Sequence, residues 1–282
     1  MKFDAALCLE GGAMRGVFSD GVLDAFIDND ICFSSVYGVS SGAKAMQYYP
    51  TRQRGYAYKG DLESSQTESM FNLANIMLGK PVIDFSYYIN EIRNKKYPLD
   101  YASLTQSETN LYIGATNIET GLIEWFKKDD QSFLEALCAS CSLPVLQPEV
   151  NIRGKLYLDG GCAEPIPYVS AQKDGHKKIV VIATREYGYR GEENHAYDFA
   201  FDMKYSRYPN FLNLVKNMTK IENEYFTRLE ELEACGEILV IRPSVKPDCD
   251  RLERDKEKLE RLYLDGYNEG KKAILKFIDY FK

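Results

Sequence analysis

Short apolar runs of strand length alternate along this chain with apolar positions at helical spacing. Residues 4–9 (DAALCL) form a buried-strand run ended by Gly11 and Gly12, and from Val17 the apolar positions 18, 22, 23, 25 and 26 predict a helix. Residues 34–39 (SSVYGV) predict a second strand and SGAKAMQYY a helix after it. That helix should stop near Pro50, which has no N–H for a helix interior. From 52 to 110 the pattern is mixed, with a short helical stretch in MFNLANIML. Strand runs return at 111–116, 122–126, 155–159, 178–184 and 237–243, and NFLNLVKNM through LEELEAC reads as helix. After Pro247, Asp248 predicts a helix cap. The apolar positions 252, 259, 262, 263, 267, 273, 274, 277 and 281 then predict an amphipathic helix or helix pair packed on its parent domain. Strands alternating with helices imply an α/β layered sheet with helices on both faces. Residues 1–243 are expected to form that domain and 244–282 a C-terminal helical extension.

With 282 residues the chain is long enough to bury the core of one large α/β domain. Its net charge of −7 argues against a nucleic-acid partner. The same charge opposes adsorption of the whole molecule to an anionic membrane, so a transient membrane-surface contact would be local. The N-terminal apolar run is too short for a signal peptide, and no run approaches the roughly 20 apolar residues of a membrane span. Seven scattered cysteines fit reduced thiols and a cytoplasmic, at most peripherally membrane-associated, protein. Cys138 and Cys141 form a C-x-x-C, but no second pair completes a zinc ligand set, and they read as small residues on a helix. Arg52, Arg54 and Lys59, interleaved with Tyr56 and Tyr58, read as a solvated helix end before they read as a headgroup dock.

Three glycine-bearing segments carry candidate chemistry. Gly38-Val39-Ser40-Ser41-Gly42 is a G-x-S-x-G between a predicted strand and helix. That turn exposes a serine at its tip, with glycines relieving the crowding and free helix donors close by. Gly11-Gly12-Ala13-Met14-Arg15-Gly16 also joins strand to helix, and its N–H groups suit an anion. A nucleotide phosphate is disfavoured because Val17 and Phe18 follow where a Walker loop needs Lys and Ser or Thr. The dinucleotide spacing fails as well, with Glu10 two places before Gly12. An acyl-transfer oxyanion and a plain tight turn both remain open. Asp159-Gly160-Gly161 ends a predicted strand, where ligands bind in open α/β sheets, although aspartate before glycine is also a common turn former.

Taken in order, GGAMRG at 11–16, GVSSG at 38–42 and DGG at 159–161 resemble the patatin-like phospholipase family. The stretch ALCASCSLPVLQPEV looks like that family's run of small residues before a proline-containing loop, and the likeness covers roughly residues 4–185. Many members open the first loop with three glycines, whereas Glu10 precedes Gly11 here. The resemblance implies a three-layer α/β/α fold around a mostly parallel sheet. It also implies a serine acyl hydrolase acting on lipid or other acyl esters, of phospholipase A or lysophospholipase type, without metal or cofactor and independent of calcium. Ser40 would be the nucleophile, Asp159 its base, and the N–H groups of Gly11, Gly12 and Ala13 the oxyanion hole. Arg15, Gly16, Gly38, Gly42, Gly160 and Gly161 would shape the site. An acyltransferase or thioesterase with the same dyad, or a non-catalytic regulatory member, are the alternatives. His176 and His195 are the chain's two histidines and sit in polar segments, which favours a Ser–Asp dyad over a Ser–His–Asp triad.

Overall fold

The N-terminal apolar run forms β1 (Lys2–Leu9), and its alternation sets the layers of the molecule. Ala5, Leu7 and Leu9 belong to one apolar cluster and Ala6 and Cys8 to another, as the two-residue period of a strand requires. The computed structural model describes residues 1–67 and 82–282, and MFNLANIML lies outside the described residues. Among them the further strands are β2 (Cys32–Val39), β3 (Asn110–Asn117), β4 (Ile123–Lys127), β5 (Val150–Ile152), β6 (Lys155–Asp159), β7 (Ile179–Ile182) and β8 (Ile238–Ile241). They form one sheet in the order β5-β6-β3-β2-β1-β7-β8, with β4 also paired to β3. The five strands from β3 to β8 along this order are parallel, whereas β4 and β6 run antiparallel to β3. The sheet is therefore mixed, with a parallel centre and an antiparallel margin. β5 carries no strand signal of its own. It exists because Arg153 and Gly154, both at positive φ, turn it back onto β6 in a two-residue hairpin.

The helices are α1 (Val17–Asp28), α2 (Ser41–Ala45), α3 (Tyr56–Gln66), α4 (Phe85–Tyr87, continuing as a π-helix to Lys96) and α5 (Tyr101–Gln106). They are followed by α6 (Phe133–Ser140), α7 (Tyr168–Lys173), α8 (Asp198–Tyr205), α9 (Pro209–Lys216), α10 (Met218–Ala234) and α11 (Lys256–Tyr280). The first cluster lies under α1, α6 and α11, the second under α7 and α10, which gives helices on both faces of the sheet. A third cluster joins α8 and α9 to Ile118 and Leu158.

Several helices differ from the sequence pattern. α2 stops at Ala45, because Tyr48 and Tyr49 turn inward and donate their hydroxyls to Tyr97 O and Ile31 O. The long helical stretch after 209 breaks at Asn217. The tail is one helix, capped by Asp255, whose Oδ1 accepts from Glu257 N at 2.8 Å. Asp248 is not the cap; it pairs with Lys258. α11 lies across α1 at backbone contact: a Cβ on Gly266 would stand 2.0 Å from Phe18 O, and one on Gly21 would stand 2.1 Å from Tyr263 O. Beside that crossing, Phe277 packs edge-on against Phe3 and Phe33.

Candidate active site

β2 delivers Ser40 at φ 53° and ψ −126°, a left-handed conformation that costs a non-glycine residue roughly 1–3 kcal/mol. The turn into α2 closes only with glycine at its flanks. A Cβ on Gly38 would lie 2.8 Å from Ala43 N, and one on Gly42 would lie 2.7 Å from Leu9 O. Two contacts from α6 and its end hold the turn: Ser40 N–H donates to Ser140 Oγ at 2.8 Å, and Cys141 Sγ sits 3.4 Å from Ser40 O. The C-x-x-C thus packs beside the candidate nucleophile with both thiols free, and burial pushes the Cys138 thiol up to about 11. Among the described residues no three His, Cys, Asp or Glu side chains group as a metal site.

Asp159 reaches the same place from the opposite direction. Along β3, residues 112–114 carry β2 on one edge and β4 on the other, while residues 115 and 116 carry β6 in place of β2. Val39, the last residue of β2, pairs with Gly114; Asp159, the last of β6, pairs with Ala115. The two strands therefore meet end to end on one edge of β3, which sets Ser40 and Asp159 side by side. Gly160 makes the meeting sterically feasible, since a Cβ there would lie 2.2 Å from Gly114 O.

The Asp159 carboxylate is 4% exposed, and its Oδ1 accepts Gly161 N–H at 2.8 Å. Burial pushes its pKa up to about 6, against the opposing pull of the Ser40 hydroxyl, Gly161 N–H and the Arg251 charge. The Ser40 hydroxyl lies beside the carboxylate without aligning into a formed hydrogen bond, and Oδ2 is left buried without a partner. Catalytic hydrogen bonds commonly tighten only when substrate is bound.

The glycine-rich loop corrects one expectation. Gly11 N–H donates to Pro165 O at 3.3 Å, so Gly11 anchors the loop and is not a free donor. Gly12 N–H donates to Ser41 Oγ at 2.9 Å, a rotatable hydroxyl. Among the described residues, Ala13 N–H has no partner, and Ala13 itself is held at φ 50°. Gly16 lies against Ser41, within 2.6 Å of where its Cβ would be. Arg15 is 3% exposed, makes no ion pair or side-chain hydrogen bond among the described residues, and has its pKa lowered to about 10 by burial and then by Arg185 and Arg251. Glu10 is also fully buried; its carboxylate accepts Thr184 N–H, and burial raises its pKa to about 7.

A cleft opens beside Ser40, walled by Met14, Phe85, Leu143 and Leu252, with Lys44 and Arg251 as its cations. Lys44 is ion-paired to Asp61. Burial acts to lower its pKa, but Asp61 and Asp20 outweigh that and hold it raised. Asp20 lies behind them with both carboxyl oxygens unpartnered, and burial, with the Asp61 charge, drives its pKa well up. Sequence reasoning missed Lys44, Ser140 and Arg251. Lys44 could have been found as the residue one helical turn after Ser40; Arg251 gives no signal within its charged stretch. The histidines lie elsewhere: His176 packs edge-on against Tyr37, and His195 is exposed and bonded to Asp198 at 3.0 Å. Arg52 and Arg54 are paired with Asp30 and Asp28 at the end of α1.

A family model described as patatin-like phospholipase matches residues 7–171, more than half of the chain. The chain belongs to this family. Its patatin-like segment runs from β1 through α7 and so contains Ser40, Asp159 and the glycine-rich loop. A second model, a domain of unknown function (DUF6363), matches residues 208–282. The uncharacterized protein YjjU of Escherichia coli (strain K12) is 31% identical over 184 residues, which is 64% of this chain and 51% of that protein, so the chain spans about half the length of this relative. VipD from Legionella pneumophila aligns with a TM-score of 0.47 at 11% identity, covering 97% of this chain and 67% of that one. Among the described residues no helix is long and apolar enough to cross a membrane.

Proposed function

We propose that this patatin-like protein is a serine acyl hydrolase that cleaves acyl esters of lipids with Ser40 as nucleophile and Asp159 as general base. The observation that carries the proposal is the end-to-end meeting of β2 and β6, which puts a strained, half-buried serine against a carboxylate whose pKa is about 6. A base poised near neutral pH balances readiness to accept a proton against being unprotonated at the outset. Asp159 takes the Ser40 proton as Oγ attacks the ester carbonyl. Ala13 N–H then donates to the oxyanion, joined by Gly12 N–H once the Ser41 hydroxyl rotates away. Collapse of the tetrahedral intermediate expels the alcohol, which leaves with the proton held by Asp159. Water, deprotonated by Asp159, hydrolyses the acyl-enzyme and restores both residues.

Neither histidine approaches this geometry, which supports a dyad. Acyl transfer to an alcohol would use the same first half-reaction, and a labelled acyl donor offered with and without a lysolipid acceptor separates the two. The test is hydrolysis of a chain-length series of p-nitrophenyl esters by wild type, Ser40→Ala, Asp159→Asn and His195→Ala. Loss in the first two variants with a normal third is expected. An inert wild type, or an active Ser40→Ala, refutes the proposal and favours a non-catalytic regulatory role.

A further inference from the structure

The segment between β8 and α11 forms one wall of the cleft, and it comes from outside the patatin-like match. It is firmly built. Met14 N–H, in the glycine-rich loop, donates to Arg251 O at 3.1 Å. On the other side Arg254 Nε donates to Ser65 O at 2.9 Å, and Gln66 Nε2 donates to Arg254 O at 2.7 Å, which ties the segment to α3. Arg251 is thereby fixed at the cleft beside Ser40 and Ala13.

Its guanidinium is exposed and, among the described residues, has neither an ion pair nor a hydrogen bond. Carboxylates outnumber cations in this chain, 42 to 35, and Arg52, Arg54, Arg153, Arg190 and Arg242 each have an acidic partner. Lys44, the other cation of the cleft, is spent on Asp61. Behind Arg251 lies Arg15, buried with its Nε unpartnered, and Arg185 lies close enough for both to repel the Arg15 charge. Glu10 and Glu222 offset part of this charge. The cleft thus presents an unpaired, planar, doubly donating group, with the charges of Arg15 and Arg185 behind it partly offset by Glu10 and Glu222, in a protein that is acidic overall. Guanidinium matches a phosphate in geometry and charge, and forms paired hydrogen bonds with it.

We infer that Arg251 determines substrate specificity by receiving a phosphate carried on the alcohol side of the acyl ester, so that phosphate-bearing lipids are preferred over uncharged esters with the same acyl chain. This rests on the hydrolase reading of Ser40. The C-terminal region would then supply the selectivity, and the patatin-like segment the chemistry.

The experiment compares lysophosphatidylglycerol with monoacylglycerol of the same acyl chain, using the full chain at pH 8, above the Asp159 pKa. The reading is the ratio of their kcat/KM values in wild type, Arg251→Gln and Arg251→Lys. The ratio is expected to fall at least about tenfold in Arg251→Gln, chiefly through KM of the phospholipid, with partial recovery in Arg251→Lys. An unchanged ratio, or equal losses on both esters, overturns the inference while leaving the hydrolase intact. Binding of a non-hydrolysable ether lysophosphatidylglycerol to Ser40→Ala, with and without Arg251→Gln, reads the same contact without turnover. An affinity at least about tenfold weaker in the double variant supports the inference, and equal affinity overturns it even if wild type hydrolyses neither ester.

Discussion

Replacing Asp159 by Asn should kill the enzyme and stabilise the fold, and both effects have one cause. The carboxyl is 4% exposed, has an unpartnered Oδ2, and shows a pKa raised from 3.8 to about 6, with burial the largest contribution. That displacement corresponds to about 3 kcal/mol of penalty on the charged folded form. The folded state holds the proton more tightly than the unfolded chain. Below pH 3.8 both states are protonated and the penalty is absent. As pH rises from 3.8 through about 6 the unfolded chain ionises first, stability falls, and the full loss is reached above about pH 7. Asparagine never ionises, keeps an oxygen for Gly161 N–H, and can donate towards Ser40 from the position of Oδ2. Urea unfolding of wild type and Asp159→Asn across pH 4 to 8 should give curves that nearly coincide at the acid end and part by up to about 3 kcal/mol at the alkaline end, the variant being the more stable. In parallel, wild-type kcat/KM should rise through about pH 6 and retain roughly a tenth of its plateau one pH unit below that. A variant less stable than wild type at pH 8, or an activity midpoint near pH 4, refutes a carboxylate held at high energy for catalysis.

Ser40→Gly removes the side chain from a residue at φ 53° and should stabilise the fold by about 1 kcal/mol while abolishing turnover, as thermal melts and ester assays would show. Gly160→Ala drives a methyl towards Gly114 O, 2.2 Å away, and must push β6 from β2. Displacement by about 1 Å at the dyad should cut kcat about 100-fold, and a normal kcat would disprove the end-to-end account. Gly266→Ala forces apart the α1–α11 crossing and should cost about 1–3 kcal/mol in denaturant titration, with no change expected if the helices merely lie near each other.

In the parallel centre β1 and β7 were the most legible, because residues 5–9 and 179–182 are contiguous apolar runs buried on both faces, and contiguity survives in a sequence. The serine turn was legible because its sterics demand Gly38 and Gly42 at fixed offsets. β5 was not, since its three residues owe their conformation to the turn at Arg153 and Gly154 and to pairing with β6. Nor was the occupation of the Gly11 and Gly12 N–H groups, which depends on Pro165, from a distant segment, and on which way the Ser41 hydroxyl points. Arg251 was hidden for the opposite reason. A charged stretch looks the same whether its arginine faces bulk water or a cleft, and only the bond from Met14 to its carbonyl fixes which.

That asymmetry follows from how the proposed dyad is assembled. A two-residue pair of this kind has no third side chain to take up error, so backbone must set its geometry, and here backbone brings Ser40 and Asp159 together through register. Side chains alternate between faces of a strand, so a slip of β6 by one residue along β3 would turn Asp159 away from Ser40 altogether. Gly160 against Gly114 O and Asp159 N–H on Ser142 O at 2.8 Å pin β6 at the residue where β2 ends. Burial of the carboxylate then comes with the position, because both strand ends are covered by α6 and the loop that follows it. The elevated pKa of Asp159 is thus a consequence of the topology that brings it to Ser40.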